Sequence, residues 1–325
     1  MLEYKVVKYH SGLKEIWNHF VDQAKNGTFL FKRDFMEYHK NRFLDASILI
    51  YQKEKLVGLF PANLDQNTVC SHQGLTYGGI VLSSKIKYQE SLIIYQTILR
   101  YYENLGVKSL YLKEIPSFYC IAPNDELLHF LFLSKSDLVR RDTTTVMALN
   151  GKTAMNSNRK RSIARGRKNV FSIVEEQSFK TFWQEVLIPN LSQKFQKKPV
   201  HSLEEITELK QNFPENIRQF NIYHKGEIVA GTTIFETKQV AHVQYISGIE
   251  DKNELGGLDV LFDTLIGQTF EHKPYFDFGI SNEQEGQKVN KGLLYWKESY
   301  GARVVTQDFY KVQTKNHRLL KQVLV

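Results

Sequence analysis

The segment Ile50-Tyr51-Gln52-Lys53-Glu54-Lys55-Leu56-Val57-Gly58 can be laid on Ile222-Tyr223-His224-Lys225-Gly226-Glu227-Ile228-Val229-Ala230 at a constant offset of 172. Four positions are identical and one exchanges Leu for Ile. Each copy is followed by the same series of signals. A strand-like run (69–73; 240–246) precedes a pair of glycines (Gly78-Gly79; Gly256-Gly257), a helix-like run (91–105; 258–270) and another short strand (110–112; 276–278). An order of elements shared at this distance is the mark of an internal duplication. At 325 residues the chain has room for two units of roughly 150 residues each. Strands alternating with helices predict an α/β class with a mixed sheet in each unit. The boundary is expected at Asn150-Gly151, giving domains 1–150 and 151–325.

Composition limits what the pair of units can be. Hydrophobic residues make up 42% and charged residues 24%, which describes a folded chain and excludes disordered, collagenous and coiled-coil classes. No stretch approaches the roughly 18 uninterrupted apolar residues of a membrane span, and the N-terminus has no apolar core of a signal peptide, so a cytoplasmic protein is expected. Cys70 and Cys120 are too few for a disulfide framework or a closed zinc site; both read as buried apolar residues, and no metal is expected.

The net charge of +8 is concentrated between Arg159 and Lys168, where six of ten residues are basic. Asn156-Ser157-Asn158 supplies an N-cap for a helix there. Arg161, Arg165 and Lys168 recur at spacings of four and three, which places them on one helix face. They can grip phosphates of a nucleotide-linked acceptor, of CoA or of tRNA; the bland reading is a solvated face. No helix-turn-helix partner accompanies the segment, so sequence-specific DNA is excluded as a ligand.

Other chemistry-bearing residues gather at turns and strand ends. His72, Gln73 and Tyr77 stand beside Gly78-Gly79, where they can meet a ligand or cap a tight turn. Asp277 and Asn282 flank the end of a strand, with Asp277 alternatively pairing with Arg303. Simple alternation along 240–248 puts His242, Gln244 and Ile246 on one face and Val243, Tyr245 and Ser247 on the other. His242 is a candidate general base and Tyr245 a candidate proton-transfer or orienting group, with Glu236, Glu254 and Asp259 as acids that can replace His242. No Gly-x-Ser-x-Gly elbow or reactive cysteine arrangement is present, which points away from a covalent nucleophile.

The repeated unit, antiparallel strands followed by a helix beside a glycine turn and a further strand, resembles an acyltransferase domain of the GNAT type, and two in one chain resemble the FemAB group. Phe276-Asp277-Phe278-Gly279-Ile280 is similar to that group's Tyr-Asp-Phe-Gly-Gly strand end. Gly292-Leu293-Leu294-Tyr295-Trp296-Lys297-Glu298-Ser299-Tyr300-Gly301 is similar to its Gly-Leu-x-x-Phe-Lys-x-x-Phe-Gly signature. Val243 to Gly248 resembles its Tyr-containing strand, and Arg161 to Val170 its Arg-x-x-Ile…Lys-x-Gly-Val segment. The first half departs from the group: Gln73-Gly74-Leu75 stands where Arg-Gly-Pro is usual, closer to the broader bacterial set of GNAT-like acyltransferases.

The resemblance implies an N-acyltransferase with direct attack by an amine and Lys297 as the cation facing the acyl carbonyl. Its bland alternative is a surface Lys297 paired with Glu298 or Glu283. Asn253, Gly256 and Gly257 would hold the pyrophosphate of an acyl-CoA co-substrate, the favoured donor, and no tightly bound cofactor is implied. A FemAB-type enzyme that takes aminoacyl-tRNA and modifies a cell-envelope precursor is the alternative, and a non-catalytic nucleotide- or anion-binding module on the same fold is another. The acceptor would be a small-molecule or nucleotide-linked amine. The family topology also implies that the last dozen or so residues, read as a short helix over 315–325, pack on the first domain.

Overall fold

The computed structural model describes residues 4–151, 153–249 and 254–324. The chain forms two compact units, one running to Asp142 and resuming at Thr306, the other spanning Thr143–Val305. From the sequence the boundary is expected at 150–151, with the second domain running to 325 and its last dozen or so residues packing on the first. The division instead falls within two strands, Asp137–Ala148 and Arg303–Gln313. Strand pairing decides it: Thr144, Val146, Met147 and Ala148 pair with Tyr275–Ile280 in the second unit, and residues 309–313 pair with Ser109–Lys113 in the first.

In the first unit a four-stranded sheet is built from Tyr4–Lys8, Ile48–Gln52, Lys55–Phe60 and Val81–Leu82. A second set joins Ser109–Lys113 to Thr68–Cys70 in parallel, followed by Asn63–Asp65 and Leu44–Asp45. The helix Tyr88–Asn104 buries Ile94, Tyr95, Ile98, Leu99 and Tyr102, the 3.6-residue stripe expected of a helix lying on a sheet. Val312 and Leu320 complete that core, so the C-terminal residues, a 3-10 turn over Thr314–Leu320, are integral to this unit.

One buried acid in this unit has no partner for Oε2: Glu114, 9% exposed, whose carboxyl burial pushes up to about 8 from an ordinary 4.5, with Asp125 and Asp308 adding repulsion. The folded state therefore binds this proton more tightly than the unfolded chain. Its stabilising contribution is complete below pH 4.5 and is lost as pH rises through about 8. Glu114→Gln, which cannot ionise, should flatten this fall in the unit's urea midpoint between pH 5 and 8. A slope identical to that of the parent chain would contradict the assignment.

The second unit carries the longer sheet, in the order Phe171–Glu176, Ile217–His224, Glu227–Glu236, Val240–Gly248, Tyr275–Ile280 and then residues 143–148 of the strand Asp137–Ala148. The helix Gly257–Thr264, continued by a π-helical turn Leu265–Thr269, covers one face with Val260, Leu261, Phe262, Leu265 and Ile266. The basic helix Ser157–Gly166 starts where expected, with the Asn156 side chain accepting from the Arg159 N–H.

The duplication persists in backbone detail. Both copies of the repeated segment are β-hairpins, and in both the register slips at the equivalent place, between Ile50 and Tyr51 and between Ile222 and Tyr223. Lys53 and Lys225, one turn later at the same offset, both adopt a left-handed conformation, with φ of 55° and 53°. A bulge and a strained turn residue are local devices that a chance match of apolar residues does not reproduce.

Candidate functional site

Two parallel strands part company in the second unit. Val240–Gly248 and Tyr275–Ile280 pair over only three rungs, Val240 with Tyr275, Ala241 with Phe276 and His242 with Asp277. Beyond the third rung the ladder stops, leaving backbone groups at the mouth of a fork. His242 and Asp277 occupy that last rung, and His242 Nδ1 lies 2.8 Å from Asp277 Oδ2.

The Asp277 carboxylate is 2% exposed and further held by Thr144 Oγ1 and by the Gly279 N–H at 2.8 Å. The last contact is a side chain bonding its own backbone two residues on, the Asx turn that Asp favours. It is coupled to a bulge: Asp277 faces Val146 but Ile280 faces Thr144, and Gly279 takes φ of 73°. A side chain there would sit 3.3 Å from Val243 O and 3.5 Å from His242 Cε1, so glycine lets the strand end close over the imidazole.

Lys297 reaches the same place from the helix Lys291–Ser299, which Asn290 caps by accepting from Leu293 N–H. Its Nζ donates to the carbonyls of Gly279 and Ile280 at 2.8 and 2.7 Å. The side chain is 2% exposed, so the pairing with Glu298 or Glu283 considered from sequence does not occur; burial displaced the amine onto the freed strand-end carbonyls. Burial pushes its pKa down to about 8, a shift opposed by the charge of Asp277. Imidazole, carboxylate and ammonium are thus brought together at one strand end. Asp277 pairs with His242, whereas Arg303 donates to its neighbour's carbonyl, Ala302 O.

Strand Val240–Gly248 contradicts the alternation read from sequence. Val243 pairs with Ile234 and Tyr245 with Thr233, so Gln244 is an extra residue, a bulge. Successive partners lie on opposite faces, which puts Val243 and Tyr245 on opposite faces as well. Ala241, Val243 and Ile246 join the apolar cluster around Phe262, while Tyr245 meets Trp183 edge-on at 5.0 Å and Ser247 Oγ accepts from Asn190. His242, paired with Asp277, therefore shares its face with Tyr245 and Ser247, not with Ile246.

The Tyr245 hydroxyl accepts from His201 N–H at 3.0 Å and lies 2.6 Å from His201 Nδ1. Nothing in the sequence singles out His201, which stands in the loop before the helix Leu203–Asn212 with no motif around it. Gln244 Oε1 is buried without a hydrogen-bond partner. Asn282 is turned to Thr143, accepting from its N–H and its hydroxyl.

The remaining candidates fall elsewhere. Arg161, Arg165 and Lys168 are exposed. Two other basic residues of the run are used internally: Arg159 pairs with Asp259 and lies 4.9 Å from the centre of the Tyr300 ring, and Arg167 pairs with Asp263. His72, Gln73 and Tyr77 belong to the first unit. Tyr77 is buried with its hydroxyl on Thr28, His72 is buried with Nδ1 unpartnered, and Gln73 is bonded to Asn63 and Asp65.

Gly256, with φ of 74°, caps the helix Gly257–Thr264 and touches Gly166 of the basic helix so closely that a Cβ on Gly166 would lie 2.9 Å from Gly256 O. A cavity of about 330 Å³ opens there, lined by Gly256, Gly257, Leu258, Arg159, Val229 and Trp296 among others. Backbone N–H groups at a helix start beside a guanidinium suit an anion, and Asp259 in the same wall is neutralised by Arg159. Asn253 lies outside the described residues. Among the described residues no His, Cys, Asp and Glu cluster fits a metal ion, and no helix is long and apolar enough to cross a membrane.

Comparison with solved structures identifies the fold. The chain superposes on FemX with a TM-score of 0.67 at 9% identity, covering 93% of this chain and 96% of that one. L-PGS from Bacillus licheniformis gives 0.60 at 11% identity over 94% and 93%. A tandem GNAT protein from the clavulanic acid biosynthesis pathway gives 0.50 at 10% identity over 96% and 99%. No family model and no curated protein matches the sequence. The chain has the FemAB-like tandem GNAT fold, with a large mixed sheet; at such identities the likeness is one of fold.

Proposed function

We propose that the chain is an N-acyltransferase whose chemistry is carried by the second unit, with His242 as general base and Lys297 as the cation that stabilises the carbonyl oxygen. The observation that carries this reading is the rung His242–Asp277 at the fork, with the Lys297 ammonium lodged beside it on the Gly279 and Ile280 carbonyls. The carboxylate fixes the ring so that Nδ1 faces Asp277, and Nε2 is the atom that takes the proton from the attacking amine. As the amine nitrogen bonds to the acyl carbon, negative charge grows on the carbonyl oxygen. A pre-positioned cation in a water-poor site stabilises that charge at no cost in reorganisation. The leaving group then departs and the carbonyl is restored, a CoA sulfur as the thiolate and a ribose oxygen with the proton returned from His242 Nε2. No residue need be acylated. Tyr245, sharing a face with His242 and held by His201, orients the acceptor.

The favoured donor is acyl-CoA. The cavity at Gly256 and Gly257 supports it, since the N–H groups at the start of the helix Gly257–Thr264 suit a pyrophosphate and Arg159 offsets the charge of Asp259 in the same wall. Aminoacyl-tRNA is the second reading, favoured by the exposed Arg161, Arg165 and Lys168. Incubation with a panel of amines and either acetyl-CoA or charged tRNA, with mass-spectrometric detection of acylated product, tests the reading. Product is expected with one donor class and none with His242→Gln. A full set of donors and amines that yields nothing would leave a binding module on this fold.

A further inference from the structure

A surface helix is ordinarily apolar on one side only, and one helix of the first unit is not. Glu126–Leu133, Glu-Leu-Leu-His-Phe-Leu-Phe-Leu, is apolar all round apart from Glu126 and His129. Its inner side, Leu127, Phe130 and Leu131, joins the core beneath. On its outer side Phe132 is 78% exposed, more than any other large apolar side chain among the described residues of this unit. Leu128, four positions earlier and so on the same ridge, is 37% exposed. A helix apolar on every side is usually enclosed, whereas this one is covered by its own unit on one side.

The ridge continues into an aromatic row. The His129 ring stacks with Phe132 at 6.4 Å between centroids, and its Nδ1 lies 2.7 Å from the hydroxyl of Tyr88, the first residue of the helix Tyr88–Asn104. Tyr88 in turn packs edge-on against the buried Phe130, which fixes the row to the core. Phenol and imidazole set a polar tip on an apolar body, as suits a boundary between water and an oily phase.

Lysines surround the row. Lys85 and Lys87 precede Tyr88, and Lys135 follows Phe132, its N–H donating to the Phe132 carbonyl. Lys315 is brought alongside because the Asn316 side chain donates to Ser134 O. All four are exposed, and among the described residues none is paired with an acid. The neighbouring acids are largely engaged: Glu126 with Lys25, Glu103 with His317 and Arg318, and Glu90 with the Lys87 N–H. Asp125 and Asp137 are exposed, and the lysines outnumber them.

We infer that this face of the first unit docks on an anionic lipid bilayer, with Phe132 and Leu128 entering the acyl boundary, Tyr88 and His129 at head-group level and the lysines on lipid phosphates. A projecting ridge flanked by free ammonium groups suits a fluid, negatively charged surface, which needs no groove cut to match it. A second copy of the chain fits poorly, because a two-fold contact sets the patch against itself and opposes lysine to lysine. The attachment is reversible, since so few apolar side chains fall far short of a membrane span. It is independent of acyl transfer, because lipid binding is read without turnover.

Sedimentation of the full chain with vesicles of phosphatidylglycerol and phosphatidylcholine in equal parts tests this, against vesicles of phosphatidylcholine alone. Binding to the mixed vesicles should be about tenfold or more tighter than to the neutral ones, and should weaken with added salt. Phe132→Ser should weaken it about tenfold through lost apolar burial. Lys87→Glu combined with Lys135→Glu should weaken it about a hundredfold, and Arg161→Glu on the second unit's basic helix should leave it unchanged. In Phe132→Trp, the mixed vesicles should move the indole emission to shorter wavelength by more than in the parent chain. The inference is overturned if the chain does not sediment with the mixed vesicles, if binding survives the Phe132 and lysine changes undiminished, or if Arg161→Glu is the change that abolishes it. A lipid-free dimer that Phe132→Ser dissociates would also overturn it, by assigning the face to a second copy. Far-ultraviolet circular dichroism and the melting temperature of each variant separate lost binding from lost folding.

Discussion

Replacing Lys297 with methionine should lower acyl transfer by about a hundred- to a thousandfold in turnover, the usual consequence of removing a pre-positioned oxyanion partner. The apolar stem is retained, so the packing of Trp296 and Tyr300 on the sheet stays in place. The pH profile supplies the second readout. With the Lys297 pKa near 8, its cationic fraction falls as pH rises through that value, and activity that needs the charge should fall with it. In Lys297→Arg the charge persists at all these pH values, so whatever activity remains should lose its alkaline decline near pH 8. An arginine variant with the parent profile would exclude Lys297 as the group responsible. Stability runs the opposite way: a lysine depressed by burial adds stability that is present above its ordinary value of 10.5 and lost as pH falls through about 8. Loss of activity above pH 8 is therefore not explained by unfolding at this residue.

The second large effect is expected at Asp277. Asp277→Asn keeps the size of the side chain but removes the anion that faces His242 Nδ1, and an amide there can present N–H where an acceptor is required. Turnover should fall by about a hundred- to ten-thousandfold, the range of general acid–base contributions. A coupled pair predicts non-additivity: adding His242→Gln to Asp277→Asn should cost little more than either change alone. Losses that multiply would show that the carboxylate acts only through Thr144 and Gly279, as a structural tie. Measured melting temperatures accompany the rates, since Asp277 accepts three contacts in a buried position.

Much of this architecture can be read from the sequence because the repeated hairpin carries its own signals: alternating apolar residues around a short polar turn, reproduced at one offset. His242, Asp277 and Lys297 each stand out singly as chemical residue types at strand ends or in a motif. Their assembly does not, because a three-rung parallel pairing joins residues 35 positions apart and leaves no local pattern. The bulge at Gln244 is equally silent, since an extra residue in a strand has no compositional mark, and simple alternation then assigns Tyr245 and Ile246 to the wrong faces. The charge run at Arg159–Lys168 misleads in another way. Arg159 turns inward to Asp259, Trp296 and Tyr300, partners more than ninety positions distant, so a basic segment that reads as wholly external is partly a fastening between helices. The unit boundary is displaced for a similar reason: strand pairing defines it, and loop composition at Asn150-Gly151 does not.

The inserted residue at Gln244 makes the strand behave like a hinge pin with a half-turn in it. Deleting that single position would rotate every later side chain by half a period, driving the Tyr245 phenol toward Phe262 and expelling Ile246 to the opposite surface. No gradual path connects the two arrangements. Descendants of this chain can change the groups around the fork by substitution, but a gain or loss of one residue there exchanges the polar and oily sides of the strand in a single step.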